Sequence, residues 1–271
     1  MREPLLACEL TVRYGKNTVV DRAAIDVFPG EIVGVIGHSG SGKSSLSLAI
    51  MRLGYLKGAH TEGRLTFEGR DILKLSEAEM RRLRGKELSL VLQSPVSSLN
   101  PALSIGTQMR QAWRAHAKDK AAGEDAIRTA LQAVALPATE EFLRRRPGQV
   151  SVGQAQRVLI ATGVLHRPKL LIVDEPTSAL DYVNQAEVLE LFRNLREQLG
   201  VAVLFISHDL LAVAKVADRV AVMQQGRIVE FGTTEQVLLD PQHEHTRRLL
   251  ASLPVDPQLL MMGQVNAVPC Y

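Results

Sequence analysis

The sequence predicts an α/β fold in which a mostly parallel sheet is interrupted by a block of helices. Three observations carry this. Strand-like runs at Leu170–Val173, Val201–Ile206 and Val220–Met223 alternate with helical sequence at Val183–Gln198 and Leu210–Val216, and strands alternating with helices imply parallel pairing. Glu31–Ile36 is a short apolar, β-branched run followed at once by a Gly/Ser segment and then by helical composition over Ser44–Leu53. From Pro101 to about Pro147, Ala, Gln and Arg dominate with apolar residues at helical spacing, which marks an inserted α-helical subdomain.

Along the chain, Leu10–Tyr14 and Thr18–Val20 have β composition, with Gly15-Lys16-Asn17 as the turn between them. Pro29-Gly30 marks a second turn before the apolar strand. Within the insertion, helices are expected over Ser104–Ala117, Glu124–Ala135 and Thr139–Arg146, separated by Gly123 and Pro137. The last stretch, Pro254–Tyr271, carries three prolines and reads as a loosely held tail.

At 271 residues, a prior of roughly 150 per domain gives about 1.8 domains, hence one large core carrying a subdomain. Hydrophobic residues make up 46% and charged residues 23%, as in an ordinary globular chain. No run approaches the ~18 apolar residues that cross a bilayer, and the N-terminal apolar stretch is too short for a signal peptide, so a soluble, cytoplasmic chain is expected. The net charge of +3, from 32 basic and 29 acidic residues, is too slight to argue for nucleic acid. Arginine clusters at residues 81–84, 144–146 and 247–248 read as solvated helix faces. The two cysteines, Cys8 and Cys270, lie near opposite ends and form neither a disulfide framework nor a metal knuckle.

The chemistry concentrates in two segments. Gly37-His38-Ser39-Gly40-Ser41-Gly42-Lys43-Ser44, followed by Ser45, fits G-x-x-x-x-G-K-[ST] with a strand before it and a helix after it. Glycines let successive N–H groups turn toward phosphate oxygens, and the helix N-terminus adds its positive dipole. Lys43 supplies charge for the β- and γ-phosphates, and Ser44 offers a hydroxyl to Mg²⁺. Leu170–Val173 then delivers Asp174 and Glu175 at the C-terminal end of a buried strand. Asp174 there suits Mg²⁺, and Glu175, emerging on the opposite side, can reach an attacking water as general base.

Together with the pieces between them, these segments resemble the ATP-binding subunit of an ABC transporter over about residues 5–254. The order matches that family: the phosphate loop, Gln93, a helical insertion, Val150-Ser151-Val152-Gly153-Gln154, Asp174-Glu175, Ser178–Asp181 and Ser207-His208-Asp209. The resemblance implies a P-loop NTPase (RecA-like) ABC ATPase core over 1–254 with an antiparallel β region, a helical subdomain inserted at about 95–165, and a tail at 255–271. It implies ATP and Mg²⁺ as cofactors. By position, Gln93 would sense Mg²⁺ and water, Ser178–Asp181 would form the D-loop, His208 would contact the γ-phosphate, and Tyr14 would stack on adenine. Ser151, Gly153 and Gln154 would complete the nucleotide site of a paired subunit.

Residues 93–101, and 241–250 followed by Pro254, further resemble the peptide and nickel importer subfamily, although Glu244-His245 stands where members usually have Pro-Tyr. The cysteine-rich extension of many peptide importers is absent, which tilts the cargo slightly toward a metal or metallophore. The implied partners are separate permease subunits, a second ATP-binding subunit (a heterodimer before a homodimer) and, through the complex, an extracytoplasmic substrate-binding protein, all at the cytoplasmic face of the inner membrane. No nucleic acid partner is expected; the rival reading is a soluble ABC ATPase acting on nucleic acid or ribosomes.

One position departs from the family. The signature loop is usually Leu-Ser-Gly-Gly-Gln, and here Val152 replaces its first glycine. Glycine allows positive φ and close backbone approach, and valine does neither comfortably, so the site this signature completes is expected to be the weaker of two. His60, His116 and His166 are read as standing alone. His243 and His245 flank Glu244 without a third ligand, and a metal site there is not expected.

Overall fold

The computed structural model describes residues 2–253 except Lys118 and Ala179. They form two compact units: one from Met1–Leu73 together with the chain from Leu204, the other from Lys74–Val203.

The first unit opens with a hairpin. β1 (Leu6–Tyr14) and β2 (Asn17–Val27) pair antiparallel with Leu6 opposite Val27, and Gly15 at the turn has φ +57. Leu6, Cys8, Leu10 and Val12 alternate inward along β1, as the two-residue strand period requires. β3 (Ile32–Ile36) is buried at every position and feeds α1 (Lys43–Ile50). β4 (Ala59–Phe67) then pairs antiparallel with β1, and β5 (Arg70–Asp71) adds an edge, giving the order β2-β1-β4-β5.

The second unit contains α2 (Glu77–Leu83), β6 (Leu88–Val91), α3 (Pro95–Ser98), α4 (Ile105–Arg114), α5 (Lys120–Ala133), α6 (Glu140–Arg144), α7 (Val152–Val164), β7 (Leu170–Asp174) and α8 (Tyr182–Leu199). β6 and β7 run parallel with Leu88 opposite Leu170. α7 packs closely on this pair at Gly163, where a Cβ would stand 2.9 Å from Val91 Cγ2. The helices begin at side-chain caps: Ser104, Asp119, Thr139, Ser151 and Asp181 each accept a backbone N–H from the first turn.

β8 (Ala202–Ser207) leads back to the first unit, followed by α9 (Leu210–Val216), β9 (Arg219–Gln224), β10 (Arg227–Thr233), α10 (Thr234–Leu239) and α11 (Glu244–Ala251). The strand order there is β10-β9-β3-β8. β3 and β9 are parallel, with Val33 opposite Arg219, and β10 returns antiparallel to β9. α9 lies against Gly34 of β3, where a Cβ would come within 2.1 Å of Val213 Cγ1. Arg219 at the head of β9 donates to Glu31 at 2.6 Å and to Asp26 at 3.1 Å, between the rings of Phe28 and Phe231.

The α/β class, the antiparallel region and the helix-rich stretch are as the sequence led us to expect. Gly123 is a correction. It was expected to separate helices, yet it sits inside α5, because the ring of Trp113 occupies the space a side chain would fill: a Cβ there would be 2.7 Å from Trp113 Cδ1. The arginine clusters lie on helix faces paired with acids, Arg84 with Glu77, Arg145 with Glu141 and Arg248 with Glu244. Cys8 is buried, which pushes its thiol up to about 12 and leaves it unreactive at neutral pH. No helix among the described residues is long and apolar enough to cross a membrane. Cys270 and the expected tail, including residues 255–271, lie outside the described residues.

Candidate functional site

In the first unit, β3 ends at Ile36 and the phosphate loop wraps back to start α1 at Lys43. Two glycines make the wrap: Gly40 has φ +80 and Gly42 has φ +109, both in the left-handed region. Gly37 is needed for space, since a Cβ there would fall 2.3 Å from the Met223 carbonyl oxygen. Gly42 occupies the N-cap of α1 without any side-chain cap, and no acid stands in the first turn. The positive end of that turn is therefore not met by a capping side chain or a first-turn acid.

Lys43 is buried, and its Nζ donates to the carbonyls of Gly37 at 2.6 Å and His38 at 3.1 Å. The ammonium is thus held over the loop. Ser41 donates its N–H to the His38 carbonyl, and its own carbonyl accepts from Gly226 at 2.9 Å. Gly226, in the β9–β10 turn, is a brace that sequence reading did not identify. Its only local mark is a turn glycine between two strands, with φ +83. Ser41 Oγ is buried with no hydrogen-bond partner among the described residues, an unusual cost for a hydroxyl and one that a phosphate oxygen would relieve. Ser39 and Ser44 are exposed. Tyr14 closes β1 with its hydroxyl 3.4 Å from Ser45 Oγ, which sets its ring beside the first turn of α1. His208 is exposed between β8 and α9, where Asp209 caps α9 and donates its N–H to Ser207 Oγ at 3.0 Å.

In the second unit, β7 carries Asp174 and Glu175 out at its C-terminal end, both buried. Glu175 has φ +51. A non-glycine residue in that region stores about 1–3 kcal/mol of strain, the kind of cost found where a side chain must be aimed. Gln93, exposed just after β6, donates its amide to Ser178 Oγ at 3.3 Å, and Ser178 Oγ donates to the Glu175 carbonyl at 3.1 Å. Asp181 closes this loop as the cap of α8.

The signature segment forms the start of α7. Ser151 is its N-cap in a reciprocal capping box: Gln154 N–H donates to Ser151 Oγ at 3.1 Å and Ser151 N–H to Gln154 Oε1 at 3.2 Å. Gly153 lets Asn184 approach, a Cβ there falling 2.9 Å from its Oδ1. Val152, 45% exposed, is the first helical residue. It is not among the residues with positive φ, so the backbone here does not demand glycine. What valine adds is a branched side chain projecting from the helix end.

The donor set suits a nucleotide with Mg²⁺. In the first unit an uncapped helix end, a held lysine and a buried hydroxyl match polyphosphate; Ser44 there, and Asp174 in the second unit, each carry a hard oxygen of the kind Mg²⁺ prefers. No group of three or more His, Cys, Asp or Glu side chains that could cage a metal occurs among the described residues. His116 and His166 do not stand alone: His166 stacks on Trp113 at 4.8 Å and meets His116 edge-on at 5.1 Å, and burial holds its imidazole below the ordinary range.

Comparison with known proteins agrees with this geometry. The family described as ABC transporter matches residues 20–178. The peptidoglycan transport ATP-binding protein YejF of Agrobacterium fabrum is 42% identical over 93% of this chain and 47% of its own. The oligopeptide transport ATP-binding protein OppD of Bacillus subtilis is 45% identical over 83% of this chain and 63% of its own. The chain thus spans only about half to three-fifths of the length of these relatives. Among solved structures, cbiO1 from Clostridium perfringens superposes with a TM-score of 0.76 at 24% identity, covering 97% of this chain and all of that one, a likeness of fold. With the family match covering residues 20–178 and relatives above 40% identity, this chain belongs to the ABC transporter family.

Proposed function

We propose that the chain is the ATP-binding and ATP-hydrolysing subunit of an ABC importer, and that its cargo is a peptide. The observation that carries the enzymatic part is the phosphate loop, with its uncapped helix end and its lysine held on the loop carbonyls. The cargo reading is supported by the relatives, transport ATP-binding proteins for oligopeptides and peptidoglycan. Those relatives outweigh the slight tilt toward nickel or a metallophore expected from the sequence.

Each side chain has a role that follows from its chemistry. Lys43 and the loop amides, with Gly40 and Gly42 shaping the turn, bind the phosphates and orient the γ-phosphoryl group. Tyr14 offers its ring to the base. Glu175 accepts the proton of the attacking water, Gln93 orients that water, and His208 donates to the γ-phosphate as charge builds there. Ser44, Asp174 and Gln93 are the residues that would hold Mg²⁺, which would supply neutralisation of phosphate charge. Ser151, Gly153 and Gln154 serve the nucleotide of a second ATP-binding subunit. Permease subunits and an extracytoplasmic binding protein complete the importer, which places this chain at the cytoplasmic face of the inner membrane.

Glu175→Gln tests the reading. It retains ATP binding and lowers steady-state turnover by about 10²–10⁴-fold, the usual contribution of a positioned base. Undiminished turnover would remove Glu175 from this role. Uptake of labelled dipeptide, labelled oligopeptide and labelled nickel in a strain with the gene disrupted identifies the cargo; loss of nickel uptake alone would overturn the peptide assignment.

A further inference from the structure

We propose that His245 is a positioning residue for the phosphate loop, acting through His38, and that it makes nucleotide binding take up a proton. This rests on the nucleotide reading of the loop.

The His245 ring, in the first turn of α11, meets the His38 ring edge-on with centroids 5.5 Å apart. His38 is the second residue of the phosphate loop, and its carbonyl accepts from both Lys43 Nζ and the Ser41 N–H. A push on its ring is therefore a push on the backbone that holds the loop's cation. The other side of the contact is anchored. Glu230 of β10 accepts the N–H groups of Gln242 and His243 at 2.7 and 3.1 Å. His243 caps α11, its Nδ1 accepting the His245 N–H at 3.1 Å.

Among the described residues His245 Nε2 is buried with no hydrogen-bond partner, and so is the hydroxyl of its neighbour Thr246. Among the described residues the charged and titratable groups near the ring are His38 on the loop side, His243 and Arg248 on α11, with Arg248 paired to Glu244, and Glu230 on β10 bound by two amides. Burial, followed by charge on His38, His243 and Arg248, holds the imidazole below its ordinary value. The empty protein thus disfavours the imidazolium. A polyphosphate on the loop adds negative charge to these surroundings, so the bound state favours the imidazolium. The sign follows. A group whose affinity for protons rises on binding strengthens binding at low pH, and that gain disappears as pH rises through its bound-state pKa.

The test is titration calorimetry of Mg²⁺-ATP into the full chain carrying Glu175→Gln, in two buffers of different ionisation enthalpy, at about pH 6 and about pH 8. The expected result is fractional proton uptake and about threefold to tenfold tighter binding at the lower pH, one pKa unit being a factor of ten. His245→Phe keeps a ring edge against His38 but cannot titrate: the uptake and the pH ratio attributable to this site vanish. His245→Ala weakens binding at both pH values, and the phenylalanine variant recovers the pH 8 affinity that alanine loses. His38→Gln breaks the pair from the loop side and also removes the ratio. Parent-like proton uptake in both His245→Phe and His38→Gln overturns the proposal. ATP binding with no proton uptake in the parent overturns it while leaving the nucleotide reading intact, and absence of ATP binding in the parent overturns both.

Discussion

Gln93 donates its side-chain amide to the hydroxyl of Ser178 at 3.3 Å, joining the segment after β6 to the segment after β7. Because Ser178 passes the contact on to the Glu175 carbonyl, one hydroxyl connects the residue proposed to orient water with the backbone of the residue proposed to deprotonate it. Net hydrogen bonds of this kind are worth about 0.5–1.5 kcal/mol, so Ser178→Ala and Gln93→Ala are each expected to lower kcat by about twofold to tenfold. The double variant should be no slower than the slower single one. If the two effects instead multiply, the residues act independently.

Val152→Gly should matter only in the assembled transporter. In the isolated chain the valine is exposed at the first position of α7, and glycine there costs less than the ~1 kcal/mol of a helix interior. Thermal melting of the isolated chain should change by a degree or two. ATP turnover of the assembled complex should rise, because the shorter residue allows closer approach of a nucleotide at this helix end. Unchanged turnover and affinity would show that the substitution carries no asymmetry.

Gly123→Ala sets two known magnitudes against each other. Alanine is better than glycine in a helix by about 0.8–1 kcal/mol, but its Cβ would stand 2.7 Å from Trp113 Cδ1. Overpacking of this kind costs about 1–3 kcal/mol. Trp113 is held by an Nε1–H bond to the Asp119 carbonyl at 2.8 Å and by its stack on His166, so it yields little. The variant should be less stable by about 1 kcal/mol, read by denaturant titration, with a shift in tryptophan emission. A stabilised variant would mean that the ring moves freely.

Acid should loosen the α4–α5 pair at a definable point. Arg110 donates to both oxygens of Glu124, at 2.6 and 3.0 Å, and this holds the Glu124 carboxyl below the usual carboxylate range. A depressed folded pKa contributes stability that is present above the unfolded value of about 4.3 and is lost as pH falls through the folded one. The pair is a third exposed, so its worth is under about 1 kcal/mol. Glu124→Gln should therefore be slightly less stable than the parent at neutral pH. The two melting curves should converge once pH drops below the folded pKa of Glu124. A constant gap at all pH values would assign the effect to packing.

The phosphate loop and the β7 carboxylates were legible because their chemistry is local: Gly40 and Gly42 must turn the backbone wherever the loop occurs, and an acid at the end of a buried strand needs only Leu170–Val173 before it. β4 was not read as a strand because its sequence, Ala59–Phe67, is largely polar and carries Gly63 at its centre. That glycine is required by the close approach of the Glu9 carbonyl on β1, a contact about fifty residues distant in the chain. β6, at four residues, is too short to show a period. Gly123 misled for a related reason: a glycine in a helical pattern looks like a break until the tryptophan that covers it is known. Ser178, Gly226 and His245 were unreadable in their roles because each acts on a residue brought to it by the fold, 85, 185 and 207 positions away.

Arg219 grips Asp26 and Glu31 from 193 and 188 positions away, and β3 has β9 as its parallel neighbour. The first unit is therefore unfinished while the chain is being made. Emerging from the ribosome, residues 1–73 hold a hairpin and a phosphate loop but lack the strand that flanks β3, whereas residues 74–203 are contiguous and can collapse as they appear. Closing the first unit waits for a loop of nearly two hundred residues, whose entropic cost is small but whose delay is not. During that interval the apolar strand β3, buried along its whole length once folded, is exposed. Chaperone demand and aggregation in this chain should accordingly depend on how quickly synthesis passes residue 224.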